Sequence, residues 1–357
     1  MKKRIKWIDI SRGIAIFCVV IGHSLGKYFP GYFANFIFSF HMPIFFVLSG
    51  YLYHKQAPKK LFIKSFFNLL VPYLATVFIG FCVLIFSRIF PNPIFHPSKS
   101  NSIKLFLISA LYASGGTVKI PMTSFVVIPI GALWFLVAMF FGTQLFNYIM
   151  RIKKYGLLIK SMIIIICSIT AIISVKFFFL PFSLQPALLS QVFFLSGFLI
   201  KKYNLIQKIN GIWTLIFLIL WLYNSKSNLF AFEGVTANNI LMAIIVGIIS
   251  SFCVIKFSIF INVHGISKVN NILLFWGAGS LLMLCFHLLD LDYVQIWPFI
   301  MNRLSRVSYN TALLIGMIYR VFFASLFTYI IPKIPIVRNF YMNRDYPVKD
   351  IFNRIRN

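Results

Sequence analysis

The chain has 357 residues, of which 60% are hydrophobic and 11% charged, with a mean hydropathy of +0.89. No soluble domain of this size carries that composition, and repeated apolar stretches near twenty residues predict a polytopic helical membrane protein. The net charge of +28 is not a nucleic-acid signal, because the Lys and Arg residues fall mainly between the apolar stretches and not in one basic patch.

The first stretch, residues 7–25, follows the basic opening MKKRIK and is interrupted by Asp9 and Arg12. It imitates a signal peptide, but no small-residue cleavage site follows and many more spans do, so it reads as an uncleaved first span. His23 lies eleven residues after Arg12. At about 100° per residue, eleven steps return a helix to within roughly 20° of its starting face and about 16 Å further along the axis. Arg12 and His23 therefore share one wall, and Asp9 stands three residues before Arg12, the spacing of a helical ion pair. Ionisable groups at membrane depth are expensive and are retained where they face a cavity. The competing account of the pair is an arginine that snorkels to the interface and a histidine that bonds between helices.

Nine further spans are expected, at roughly 32–53, 67–90, 129–150, 157–179, 184–200, 211–224, 238–262, 271–289 and 311–331. The longest loop, 91–128, holds a short amphipathic helix at 103–112 and a flexible Ser114–Gly115–Gly116. The cysteines, Cys18, Cys82, Cys167, Cys253 and Cys285, lie in apolar segments without C-x-x-C spacing and read as small core residues, with no metal site. Most cations fall on one side: Lys2, Lys3, Arg4 and Lys6, then the groups around Lys55–Lys64, Arg151–Lys160, Lys201–Lys208 and Lys256–Lys268, then a tail with Lys349, Arg354 and Arg356. Lys27, Lys99 and Lys119 are among the fewer on the other side. This bias predicts both termini in the cytoplasm of a bacterial inner membrane. One membrane domain covers residues 1–331, and a basic cytoplasmic tail covers 332–357.

Four segments together resemble the acyltransferase-3 family of integral membrane acyltransferases. WIDISRGIAIFCVVIGHS (7–24) meets its Asp-x-x-Arg and Arg-x10-His patterns at Asp9, Arg12 and His23. FSFHMPIFFVLSGYL (38–52), ALWFLVAMF (132–140) and GSLLMLCFH (279–287) are similar to its later signatures. One departure is plain. LLVPY (69–73) is present, but the Arg-x-x-Arg that often precedes it is replaced by Ser65 and Asn68. Lys59, Lys60 and Lys64 are nearby cations, less suited to phosphate than a bidentate arginine.

The resemblance implies an all-α membrane enzyme of about ten transmembrane helices that moves an acetyl group from acetyl-CoA to a hydroxyl of a cell-envelope or exported polysaccharide. The residue chemistry agrees: an imidazole is the usual base near neutral pH, and a cation cluster suits the phosphates of an elongated donor. His23 is the expected general base, and Arg12, oriented by Asp9, holds donor phosphate or steadies polar groups along the tunnel. His41 is either a hydrogen-bonded structural residue or part of the same tunnel. His287, Asp290 and Trp297, with Asp292 and Tyr293, are candidates for binding a polar sugar or, equally, form an interfacial aromatic belt. Trp134 reads as packing, Arg320 has no obvious local partner and is expected to face the interior or a lipid phosphate, and Glu233 is expected in a solvated loop. The rival function is a transporter or flippase of a lipid-linked glycan, which also needs intramembrane ionisable groups. The expected partners are membrane lipid, the acyl donor and the glycan, and no nucleic acid.

Overall fold

A computed structural model describes residues 4–25, 31–119 and 126–348. Lys2, Lys3, Lys27, Lys349, Arg354 and Arg356, used above for topology, lie outside the described residues. In chain order the helices are α1 (Lys6–Leu25), α2 (Gly31–Phe38), α3 (Pro43–Tyr51), α4 (Pro58–Ser65), α5 (Val71–Ile89), α6 (Ile103–Tyr112), α7 (Trp134–Arg151), α8 (Leu157–Ser174) and α9 (Leu184–Lys202). They continue as α10 (Leu205–Lys208), α11 (Gly211–Asn224), α12 (Ile240–His264), α13 (Ser267–Ala278), α14 (Ser280–Tyr293), α15 (Ile296–Leu304), α16 (Tyr309–Ile330) and α17 (Val337–Tyr341). Among the described residues the one sheet is a two-residue ladder, Val118–Lys119 with Val126–Val127.

The protein is therefore an all-α polytopic membrane protein. Among the described residues, eight helices are long and apolar enough to cross a membrane, or nine if α13 and α14, broken at Gly279, make one span. Three expected spans differ from the reading above. The seventh is α11, a 14-residue helix about 21 Å long at 1.5 Å per residue, shorter than the hydrocarbon core. The ninth is the broken pair. The third begins earlier than expected, since the stretch Pro58–Ile89 runs as one candidate span of 32 residues. Lys59, Lys60 and Lys64 lower its hydropathy and hide its start. A π-helical turn at Phe66–Leu70 joins α4 to α5 just before Pro72, whose ring and missing N–H disrupt the regular ladder.

The chain divides into two compact units. The first comprises Met1–Lys55, Leu145–Phe177 and Gln185–Ser280. Its α1 and α13 cross at backbone contact: a Cβ on Gly13 would lie 2.2 Å from the Leu273 carbonyl oxygen, and one on Gly277 would lie 1.7 Å from that of Asp9. Small residues permit this approach between membrane helices, and Phe17 stacks on Trp276 beside it at 5.2 Å. A cluster of rings, Phe46, Phe193, Phe194, Phe230 and Phe232, fills the unit's core.

The second unit comprises Gln56–Gln144, Phe178–Leu184 and Leu281–Asn357. Here α17, from the segment expected as a tail, packs against α5. The Tyr341 hydroxyl meets Thr76 Oγ1 at 3.2 Å, and Phe286 stacks on Phe327 at 4.8 Å. The loop after α5 is sewn to the end of α14. Ser98 N donates to Asp292 O at 2.8 Å, Gln295 N to Ile94 O at 2.8 Å, and Gln295 Nε2 to His96 O at 3.0 Å.

Candidate functional site

The first unit holds four of the expected site residues on two spans. The chain from residue 6 to 25 forms one unbroken helix, so the eleven-residue spacing of Arg12 and His23 is kept as helical spacing. Near its start, buried Asp9 is shared by two arginines. Arg12 Nη1 lies 3.8 Å from Asp9 Oδ1, and Arg4 Nε pairs with Oδ2. Arg4 is 65% exposed, against 5% for the Asp9 side chain and 32% for Arg12. Arg4 was not anticipated as a partner, because it lies just before the first turn of α1, five residues from Asp9. A carboxylate buried in a poor solvent needs such pairing, and the sharing fixes the direction of the Arg12 side chain.

His23, half-buried further along α1, faces His41 with ring centroids 6.3 Å apart at 83°. The Phe38 ring lies edge-on to both, at 5.8 Å from His23 and 4.7 Å from His41. His41 occupies a turn between α2 and α3 that Pro43, first residue of α3, enforces by lacking an N–H and crowding the residues before it. Trp221 of α11 pins the same turn: its ring stacks on Phe36 at 4.0 Å, and Nε1 donates to Ser39 Oγ at 2.7 Å. His41 is buried, and its Nδ1 lies 2.9 Å from the Ile37 carbonyl. A carbonyl only accepts, so Nδ1 carries the hydrogen and Nε2 holds the lone pair. The two histidines are brought together.

The second unit holds the remaining candidates. Lys59, Lys60 and Lys64 are exposed along α4. The two positions of the missing arginines serve the backbone instead. Ser65 is buried, donates its hydroxyl to Leu61 O and accepts from Gln144 Nε2 at 2.6 Å. Asn68 Nδ2 donates to Lys64 O at 2.5 Å.

His287 and Asp290 both lie on α14 and are fully buried. Asp290 is committed to the protein. Tyr319 Oη donates to its Oδ1 at 2.5 Å, and Arg320 Nε lies 3.3 Å from Oδ2. The guanidinium sits over the Trp297 ring, with Cζ 4.7 Å from its centroid. Arg320 thus faces the interior, one of the two expected settings, and its partners come from α14 and α15, which helical spacing along α16 cannot reveal. Asp290 and Trp297 form a buried ionic and aromatic knot. Asp292, two residues on, turns instead to Lys99, with Nζ 2.7 Å from Oδ1. Trp134 is buried packing, as expected. Glu233, expected to be solvated, is half-buried beside the phenylalanine cluster, and this burial raises its carboxyl above the ordinary range.

An intramembrane imidazole pair, with a carboxylate–arginine group on the same helix, is a constellation for moving protons and holding an anion. The acyltransferase-3 family model, described as an acyltransferase domain, matches residues 5–337. The chain belongs to the acyltransferase-3 family. That assignment spans both units and makes the protein a multi-pass membrane acyltransferase. No curated protein and no solved structure matches it.

Proposed function

We propose that this acyltransferase moves an acetyl group from acetyl-CoA to a hydroxyl of a cell-envelope or exported glycan in a bacterial inner membrane, with both termini cytoplasmic. The observation that carries the reading is the continuous α1, with Asp9 and Arg12 near its start and His23 facing His41 near its end. His23 takes the proton of the sugar hydroxyl as its oxygen bonds to the thioester carbonyl. The tetrahedral oxyanion collapses, the C–S bond breaks, and the CoA thiolate takes the proton from the imidazolium. Arg12 holds donor phosphate or the developing negative charge, a task for which a guanidinium preset by a buried carboxylate loses little reorganisation. The polybasic α4, with Lys59, Lys60 and Lys64, supplies cations where the family's Arg-x-x-Arg is missing. The donor therefore enters from the cytoplasmic face.

The deciding comparison is between the two histidines. A positioned base contributes roughly 10²–10⁴-fold, so His23→Ala should abolish glycan acetylation while the protein accumulates and unfolds normally. His41→Ala, which removes a buried ring bonded to Ile37, should lower the melting temperature as well as the rate. Wild-type acetylation by His23→Ala would remove the proposed base.

A further inference from the structure

Asp9 is a buried carboxylate with two arginines on it, and the outer arginine has donors to spare. Arg4 meets Asp9 through Nε, and its side chain is 65% exposed, so its terminal Nη groups stay open to solvent. Arg12 Nη1, at 3.8 Å from Oδ1, is held by charge at a distance beyond a hydrogen bond. Both guanidiniums start from fixed backbone. Ile8 N donates to Ile5 O at 3.1 Å, which carries the chain from Arg4 directly into α1. Asp9 itself is seated on α13 at Gly277, where a Cβ would stand 1.7 Å from its carbonyl oxygen. The surrounding charge is positive. Arg4, Lys6 and Arg12 stand against one carboxylate within residues 4–12. Lys201 of α9 reaches the same turn across two rings, with Nζ 5.7 Å from the Tyr51 centroid and Tyr51 edge-on to Trp7 at 5.2 Å. Among the described residues of this unit the other carboxylate is Glu233, in the loop before α12.

We propose that Arg4 and Arg12, set on the Asp9 carboxylate, clamp one phosphate group between them. That the phosphate belongs to an acyl-CoA donor rests on the acyl-transfer reading above; a lipid headgroup phosphate offers the same chemistry. A phosphate carries its oxygens in a tetrahedral array and engages two guanidinium forks at once, whereas a carboxylate fills one. Two arginines on one carboxylate keep a net positive charge, so the anion enters a field already in its favour. Asp9 orders both side chains before the ligand arrives, which removes an entropy cost that binding otherwise carries. Arg4 is the residue that separates a ligand clamp from a structural pair. It is exposed, and Asp9 keeps Arg12 without it.

Calorimetry on the full chain in phosphatidylcholine nanodiscs tests this with CoA and with pantetheine, its phosphate-free arm. Arg4→Gln should weaken CoA binding roughly ten-fold or more, the effect of losing a hydrogen bond to a charged group. Pantetheine binding should stay as in wild type. Arg4→Lys keeps the charge and loses the fork, so it should fall between the two, and it carries the test if Arg4→Gln does not fold. Native mass spectrometry from phosphatidylglycerol nanodiscs reads the other source. Less retained phosphatidylglycerol in Arg4→Gln, with CoA affinity unchanged, would sustain the clamp and assign its phosphate to a headgroup. CoA and pantetheine weakened equally would overturn the proposal, as would a folded Arg4→Gln that alters neither CoA affinity nor lipid retention. Failure of the transfer reading looks different. CoA binding that depends on Arg4, in a protein that moves no acetyl group, would keep the clamp and sink the acetyl-transfer reading.

Discussion

Gly277 and the Asp9 carbonyl meet with no room between them: a Cβ on the glycine would stand 1.7 Å from that oxygen. The helix that carries Arg12 and His23 is therefore seated on α13 at the same residue whose side chain orients Arg12. Overpacking a tight contact costs about 1–3 kcal/mol, occasionally more. Gly277→Ala should lower the melting temperature and acetyl transfer together. Gly31→Ala, where nothing lies within 4 Å, should leave both near wild type. Thermal unfolding and activity of the two variants, side by side, check the expectation.

Arg12 and the α4 lysines should behave differently. An exposed lysine contributes about 0–1 kcal/mol to an ion pair, whereas breaking a buried pair costs about 3–5 kcal/mol. Arg12→Ala should raise the KM for acetyl-CoA strongly or abolish activity, with Arg4 left as a partner of Asp9. Single replacements of Lys59, Lys60 or Lys64 should have small effects, and the triple replacement a clear one. Steady-state kinetics in nanodiscs would read this. Wild-type KM and kcat in Arg12→Ala would make the Asp9–Arg12 group structural.

The Asp290–Arg320 pair is buried on both sides, so single replacement leaves one charge uncompensated in a poor solvent. Arg320→Met should cost about 3–5 kcal/mol, read as a fall in the detergent-phase melting temperature. Adding Asp290→Leu should recover a large part of that loss, since an apolar pair of similar volume replaces a buried ion pair at little cost. A double variant less stable than Arg320→Met alone would show that Asp290 is held by Tyr319 and not by the arginine.

Burial raises the Glu233 carboxyl, so the folded protein holds this proton at pH values where the unfolded chain has released it. Stability from this residue is full below the ordinary carboxylate value, about 4.3, and is lost as pH rises through the raised folded value. Glu233→Gln should flatten that part of the stability curve and raise the melting temperature at neutral pH. Melting curves across acid to neutral pH for both forms would show it, and an unchanged slope in the variant would assign the pH dependence elsewhere.

Much of the helical scaffold and the spacing along the first span were legible in the chain because they depend on local periodicity. The spacing of Asp9, Arg12 and His23 needs only a continuous helix, and α6 begins and ends where its apolar pattern does. Pro43 marks the break that holds His41, and Pro58 marks the start of α4, a position where its missing N–H is harmless. Partners brought together by tertiary packing left no such trace. Arg320 meets Asp290, Lys99 meets Asp292 and Trp221 meets Ser39 from different helices or loops. The charge of Lys59, Lys60 and Lys64 also concealed the first two turns of a long span, because hydropathy weighs a lysine as polar wherever its head group sits.

The bonds made by Ser65 and Asn68 bear on any attempt to graft the family's cations back into this chain. An arginine at position 65 would have to displace Gln144 and carry its charge into a buried site, so it would arrive as a lesion. Position 68 forfeits only a contact with its own helix. Reversion by directed evolution should therefore enter through codon 68 and accept codon 65 only after Gln144 has changed. The order of substitutions, and not merely their identity, is written into this helix.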